Sequence, residues 1–297
     1  MSEKKRIAWN AGWNIIGIVL QTVVAFLLAP FLIHRLGEMT YGLWIVLGSL
    51  TSYFGLLDLG VRGTVGRFIA FHQARNDQVA TNETLSSALA ILCAVGTLAF
   101  LGVVSTQTFF FRLFEVPLWQ QGEVRVALLL VGCQLGLAFV ANAFDATLWG
   151  FQRFDILNLI DVPAAAARAA LTFWLISRGG SLITLAVVTL AVTATAGAAK
   201  VLMSFRENPA LRLRVAHVKR AAIREIFGYG VWNCATTVTH LARTQMTPLL
   251  IGSLLGVGLV TPYAIANRLT TLVAAVLAAV TGVLTPLAAA LHAQQHR

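Results

Sequence analysis

Charged residues are scarce in this chain. Only 11% of its 297 residues are Asp, Glu, Lys or Arg, whereas a typical soluble domain contains about 25%. Because a soluble fold needs a polar shell around its core, this scarcity excludes a soluble enzyme and a disordered chain. The three cysteines, Cys93, Cys133 and Cys234, lie in apolar stretches, and an odd number of such thiols excludes a secreted disulfide scaffold.

Motifs for catalysis and metal binding are also missing. The chain contains no HExxH, GxxxxGK[ST], CxxC or nucleophile-elbow sequence, so no motif for enzymatic chemistry stands out. We therefore expect a protein that is not an enzyme, with no metal and no cofactor. A polytopic glycosyltransferase or polymerase is a distant alternative, because such an enzyme needs a large outer loop. The longest predicted outer loop, 107–124, contains only Glu115 and Glu123 as acidic residues.

The chain instead contains several long apolar runs. Hydrophobic residues make up 58% of the chain, the mean hydropathy is +0.77, and about 20 apolar residues suffice to cross a bilayer. The pattern predicts an all-α, polytopic membrane protein with eight transmembrane helices. The predicted spans are 8–34, 41–61, 84–106, 125–149, 157–177, 181–204, 227–251 and 260–290.

The basic residues predict the orientation of these spans. With the N-terminus in the cytoplasm, 15 of the 22 Lys and Arg residues, Lys200 among them, belong to the inner side and 4 to the outer side. This positive-inside bias places both termini of the chain in the cytoplasm. The net charge of +10 therefore reflects membrane topology, and we expect no nucleic-acid partner.

A basic segment divides the chain. Residues 205–226 are rich in Arg and Lys interleaved with Leu, Val and Ile. This composition suits a helix on the inner membrane surface, attracted by anionic lipids, and a solvated linker is the alternative. The segment separates a first unit of six spans, 1–204, from the start of a second unit, 227–297.

Sequence matches across this divider predict an internal repeat. Trp13-Asn14 matches Trp232-Asn233, and Leu36-Gly37 matches Leu255-Gly256 at the same offset. Because an even number of spans separates the copies, the repeat is parallel, with its axis along the membrane normal. The second copy stops after two spans. We interpret the chain as a truncated form of a two-lobed protein, with a naturally short, dimerising form as the alternative.

Two arginines in the last two predicted spans suggest an anion site. Arg243 and Arg268 lie at similar depth in the outer half of the membrane, and His240 shares a helix face with Arg243. Ionisable residues at this depth are costly and mark functional sites by default. Neither span supplies a carboxylate, and arginine binds phosphate through two nitrogens. In the alternative interpretation, these arginines pair with groups from other helices or extend to the interface.

Further charges lie near the inner side. Arg168 is near the middle of span five, Asp161 shares its helix face, and Asp145 is near the inner end of span four. These residues could form an internal ion pair that closes the floor of a cavity, or Arg168 could contact a substrate directly. Asp58 is four residues before Arg62 and suits a helix-end pair. A role in ion coupling stays open for the three aspartates.

The opening of each unit resembles a known family. The first unit contains NAGWNIIG, LLAPFLIHRLGEMTYGLW and YFGLLDLGVRGTVGRFIA, and the second contains FGYGVWN and LLIGSLLGVGLVTPYAIANRL. These strings are similar to the Wzx-type flippases of O-antigen and polysaccharide biosynthesis, in the multidrug/oligosaccharidyl-lipid/polysaccharide exporter superfamily. Members of that superfamily have two six-helix lobes around a central cavity.

The resemblance implies a transport function. It points to a transporter in the bacterial inner membrane that flips an undecaprenyl-pyrophosphate-linked oligosaccharide to the outer leaflet, as in lipopolysaccharide assembly. Family cavities are cationic, which implies that Arg243, Arg268, Arg168 and His240 face the pyrophosphate. The implied partners are this lipid-linked oligosaccharide, membrane lipids, and the polymerase and chain-length proteins of the same pathway. A multidrug or cation antiporter of the same superfamily is the alternative.

Overall fold

The chain folds into long helices joined by short connections. The computed structural model describes residues 28–55, 61–114, 116–271 and 273, and within these it describes all side chains except those of 61–62, 227 and 229–244. The described part contains no β-strand, so the all-α class is confirmed there. The helices are α1 (28–36), α2 (Glu38–Phe54), α3 (Val61–Ala74), α4 (Gln78–Leu113), α5 (Leu118–Gly150), α6 (Phe154–Ser177), α7 (Leu182–Glu207), α8 (Arg220–Leu254) and α9 (260–271).

Four of the described helices are long and apolar enough to cross a membrane. They are α4, α5, α6 and α7, with 36, 33, 24 and 26 residues. These four helices contain the third to sixth spans that the sequence predicts. The second and seventh predicted spans correspond to α2 and α8, which are not among the four, and the first and eighth lie mostly outside the described residues. The total of eight spans therefore stays a prediction.

Local sequence signals set the helix boundaries. The Asp77 carboxylate caps α4 by accepting a hydrogen bond from the backbone N–H of Ala80 at 2.9 Å. Ser181 and Thr184 form a capping box at the start of α7. Such caps satisfy N–H groups that have no partner inside the helix, so the short loops around these residues can connect long antiparallel helices.

The helix α5 is the centre of the packing. It packs most extensively against α7 and α4. One apolar core, around Leu43 and Leu128, joins α5 to α2, α4 and α7. A second core, around Leu85, Leu211 and Ile226, joins α5 to α3, α4 and the beginning of α8. Among the four candidate spans, α6 is the least buried, so most of its surface is free of contacts within the described structure.

The segment that joins α7 to α8 is not one continuous helix. Residues 208–219 are irregular apart from one 3-10 turn, Val215–His217, and we call them the strap. A continuous surface helix over 205–226 does not form, because Pro209 disfavours the helical conformation of the residue before it. Asn208 is accordingly extended and ends α7. The strap packs against α4, and most of its residues are exposed or half-buried.

Two glycines at matching positions of the predicted repeat have the same backbone conformation. Gly37 has φ 82° and ψ 158°, and Gly256 has φ 96° and ψ 151°. This region is essentially restricted to glycine. Each glycine ends one helix and precedes another, so the Leu-Gly matches mark equivalent breaks. The matching tryptophan-asparagine pairs lie outside the residues whose side chains are described.

Candidate functional site

A cavity of about 340 Å³ lies between α1 and α9. Its wall is mostly apolar, and Arg268 and His34 are the titratable residues that line it. The lining residues are Ala29, Pro30, Ile33, His34, Ile265 and Arg268. The cavity therefore combines an apolar surface with a cation from one of the predicted anion-binding positions.

Contacts between α2 and α9 set the position of Arg268. The Thr261 hydroxyl, at the start of α9, donates a hydrogen bond of 2.7 Å to the carbonyl oxygen of Glu38 at the start of α2. Two turns along α9, Cζ of Arg268 lies 6.0 Å from the ring centroid of Tyr41, which is fully buried in α2. A guanidinium over an aromatic face is held there by electrostatic attraction. Its planar fork is suited to binding two oxygens of a phosphate group.

The other predicted anion-binding residues are distributed differently. Arg243 and His240 are on α8, but their side chains lie outside those that the structure describes, as does Asp58 in the segment 56–60. Arg168 is exposed on α6 and does not line the cavity between α1 and α9. The structure thus places Arg268 at this cavity and Arg168 elsewhere.

An ion-pair network joins three of the candidate spans. The Lys200 ammonium of α7 lies 2.5 Å from Oδ1 of Asp145 on α5 and 2.9 Å from Oδ1 of Asp161 on α6. The exposed fractions of the side chains are 12% for Lys200, 3% for Asp145 and 46% for Asp161. Two carboxylates therefore share one ammonium, and the bond to Asp145 is the buried one.

In this network Asp161 forms an ion pair with Lys200. Arg168 shares a helix face with Asp161 but lies two turns away, about 10 Å along the axis. Lys200 reaches both aspartates from the neighbouring helix. This contact was not predicted from the sequence, because Lys200 was assigned to the inner loop although α7 continues to Glu207. The signal available was a lysine inside the predicted span 181–204, four residues before its end.

The described candidate residues of these sites include three cations: Arg268 at the cavity, Arg168 on α6, and Lys200 between two aspartates. Within the described ranges, no three His, Cys, Asp or Glu side chains are arranged to hold a metal ion.

Comparisons with known proteins identify the family. Residues 7–292 match the family described as "Polysaccharide biosynthesis protein". The curated "Putative O-antigen transporter" of Shigella flexneri is 24% identical over 151 residues, which cover 50% of this chain and 35% of that protein. No solved structure matches the chain significantly. Because the family match extends over nearly all of the sequence, this chain belongs to the polysaccharide biosynthesis protein family.

Proposed function

We propose that this protein moves an undecaprenyl-pyrophosphate-linked oligosaccharide from the inner to the outer leaflet of the bacterial inner membrane. The observation that carries this proposal is the guanidinium of Arg268 in the wall of a mostly apolar cavity. Such a surface suits a lipid whose headgroup is an anion, since apolar walls strengthen the attraction between arginine and phosphate. Family membership and the similarity to an O-antigen transporter support the same substrate class.

The proposed anion site combines residues from several helices. Arg243 and His240 belong to α8 and Arg268 to the adjacent α9, so their side chains could reach one pyrophosphate from two elements. Arg168 on α6 would contact the anion from the first unit. The matching breaks at Gly37 and Gly256 support two repeated units, and rocking of such units against each other gives alternating access.

Topology and partners complete the proposal. Both termini of this chain are cytoplasmic, and the polypeptide passes eight times through the inner membrane. The products of the flippase are used by the polymerase and chain-length proteins of the same pathway, which we propose as its partners together with the surrounding lipids.

A cation-coupled antiporter is the second candidate, because of one specific observation. Asp145 is a deeply buried carboxylate in a candidate span, and antiporters use such groups to bind protons or Na⁺. In this structure, however, Lys200 already neutralises it. Drug-resistance assays in an efflux-deficient strain distinguish the two candidates, because a flippase gives no resistance.

Replacement of Arg268 tests the proposed function. In cells that lack their own transporter of this family, Arg268→Ala should abolish surface polysaccharide and cause lipid-linked repeat units to accumulate, whereas Arg268→Lys should keep partial activity. Arg178→Ala is the matched control. Cζ of Arg178 lies 4.1 Å from the ring centroid of Trp174, and Arg178 does not line the cavity. Normal surface polysaccharide from Arg268→Ala at equal protein level would refute the role of Arg268.

A further inference from the structure

Two buried polar residues of α4 hold the strap in place. The Asn82 amide donates to the carbonyl oxygen of Ala210 at 3.3 Å, and its Oδ1 accepts a 3.0 Å hydrogen bond from the backbone N–H of Arg212. The Ser87 hydroxyl accepts from the backbone N–H of Lys219 at 3.0 Å. Asn82 and Ser87 are buried, so these bonds are partly shielded from water. The strap therefore has a fixed backbone near both of its ends.

The fixed backbone turns an apolar side chain and two arginines outward. Val215, at the first position of the 3-10 turn, is 90% exposed, and Arg212 and Arg214 are exposed beside it. The turn is closed by a 3.0 Å hydrogen bond from the backbone N–H of His217 to the carbonyl oxygen of Arg214. The side of the strap opposite α4 is thus an apolar tip flanked by cations.

Within the part of the chain that the structure describes, the basic residues of this surface outnumber their acidic partners. No Asp or Glu occurs from residue 208 to 224. The Nζ atom of Lys219 lies 3.7 Å from Oε1 of Glu83 on α4. Elsewhere on the surface, Arg153 pairs with both Asp155 and Glu207. By contrast, four exposed arginines of the strap and the first turns of α8 have no acidic partner within the described residues: Arg212, Arg214, Arg220 and Arg224.

We propose that the strap and the start of α8 form a docking surface for anionic phospholipid headgroups. The strap connects α7, a candidate span, to α8, so it lies at the end of the membrane-crossing part, next to the headgroups. Arginine binds phosphate oxygens through its planar fork, and an apolar residue among basic ones inserts at the boundary of headgroups and acyl chains. Anchoring by Asn82 and Ser87 means that this surface is ordered before the lipid binds.

This proposal is independent of the transported substrate. It requires only that the strap faces a leaflet that contains anionic lipid, because basic residues near such a surface are attracted to it. The occupant is a bulk phospholipid of the leaflet rather than the lipid-linked oligosaccharide, because the surface is outside the cavity that Arg268 lines.

A fluorescent probe on the strap tests the proposal in the full chain. Ala216, exposed beside Val215, is replaced by Cys after Cys93, Cys133 and Cys234 have been changed to Ser, and is labelled with an environment-sensitive dye. The protein is reconstituted into nanodiscs of phosphatidylcholine alone or with phosphatidylglycerol. We expect a blue shift and protection from aqueous iodide only with phosphatidylglycerol, and loss of both when the four arginines are changed to Gln.

The control removes exposed arginines from the predicted opposite side of the membrane. The double variant Arg112→Gln, Arg178→Gln should keep the lipid-dependent blue shift. High salt should weaken the shift in the unmodified strap, because it screens exposed charges, and this measurement remains informative if the fourfold variant does not fold. The proposal is overturned if the probe responds equally to both lipids, if the fourfold variant keeps the response, or if the control loses it.

Discussion

Replacement of Lys200 is the most demanding test of the packing between the candidate spans. Lys200→Met keeps a long apolar stem but leaves the Asp145 carboxylate, which is 3% exposed, without its ammonium. Removing one partner of a buried ion pair costs about 3–5 kcal/mol. The second pair involves Asp161, which is 46% exposed, and exposed pairs contribute about 0–1 kcal/mol. We therefore expect a large loss from Lys200→Met and a small loss from Asp161→Asn.

A double variant separates the lost pair from the lost packing. If the penalty of Lys200→Met comes from the loss of the ammonium beside the Asp145 carboxylate, then adding Asp145→Asn removes that buried charge and restores most of the stability. This follows because replacement of both partners of a buried pair is often nearly neutral. The coupling energy between the two substitutions should therefore be large and favourable.

The measurement is thermal unfolding of the purified chain in one detergent, followed through its seven tryptophans. The expected order of midpoint temperatures is wild type, Asp161→Asn, the double variant, and then Lys200→Met well below the others. A midpoint for Lys200→Met equal to that of the wild type would show that the network does not stabilise the fold. A double variant no better than Lys200→Met would show that packing, and not charge, is responsible.

Four further substitutions and one control test close contacts, backbone conformation and the anchoring of the strap. A Cβ at Gly42 would lie 2.3 Å from a carbonyl oxygen of the turn after α8, whereas a Cβ at Gly48 on the same helix would meet no atom within 4 Å. Gly42→Ala should therefore lower the free energy of unfolding by about 1–3 kcal/mol in the same assay. An equal effect of Gly48→Ala would contradict this explanation. Gly37→Ala and Gly256→Ala should each cost about 1–3 kcal/mol because of their positive φ, and unequal midpoints would argue against equivalent breaks. Asn82→Ala leaves two strap backbone groups without their partner, so limited trypsin digestion should cut the strap several times faster; an unchanged rate would refute the anchoring role.

The four candidate spans could be predicted from hydropathy, because a membrane-crossing helix must be apolar along its length and this property is local in sequence. An unbroken apolar run must form a helix that satisfies its own backbone hydrogen bonds, and α4 to α7 follow from such runs. The match between Leu36-Gly37 and Leu255-Gly256 could also be found in the amino-acid sequence alone. Only the backbone angles of the two glycines show that the match corresponds to the same break in both helices.

The candidate site was harder to predict from the sequence, because its contacts join distant parts of the chain. Arg268 was selected from its depth and charge, but its position over Tyr41 depends on how α9 packs on α2. Lys200 was missed because its partner Asp145 is 55 residues away in sequence. Neither the period of a helix nor the hydropathy of a run specifies which carboxylate a lysine will reach on another helix.

The sequence by itself determined the membrane character, the helical class, the location of the four candidate spans and the family, because all of these depend on composition and on patterns within single segments. The tertiary structure alone decided which charges meet, where an arginine faces a cavity, and that Asn82 holds a strap 130 residues later in the chain. The physical reason is that a buried charge or polar group needs a partner, and only the packed helices show where that partner lies.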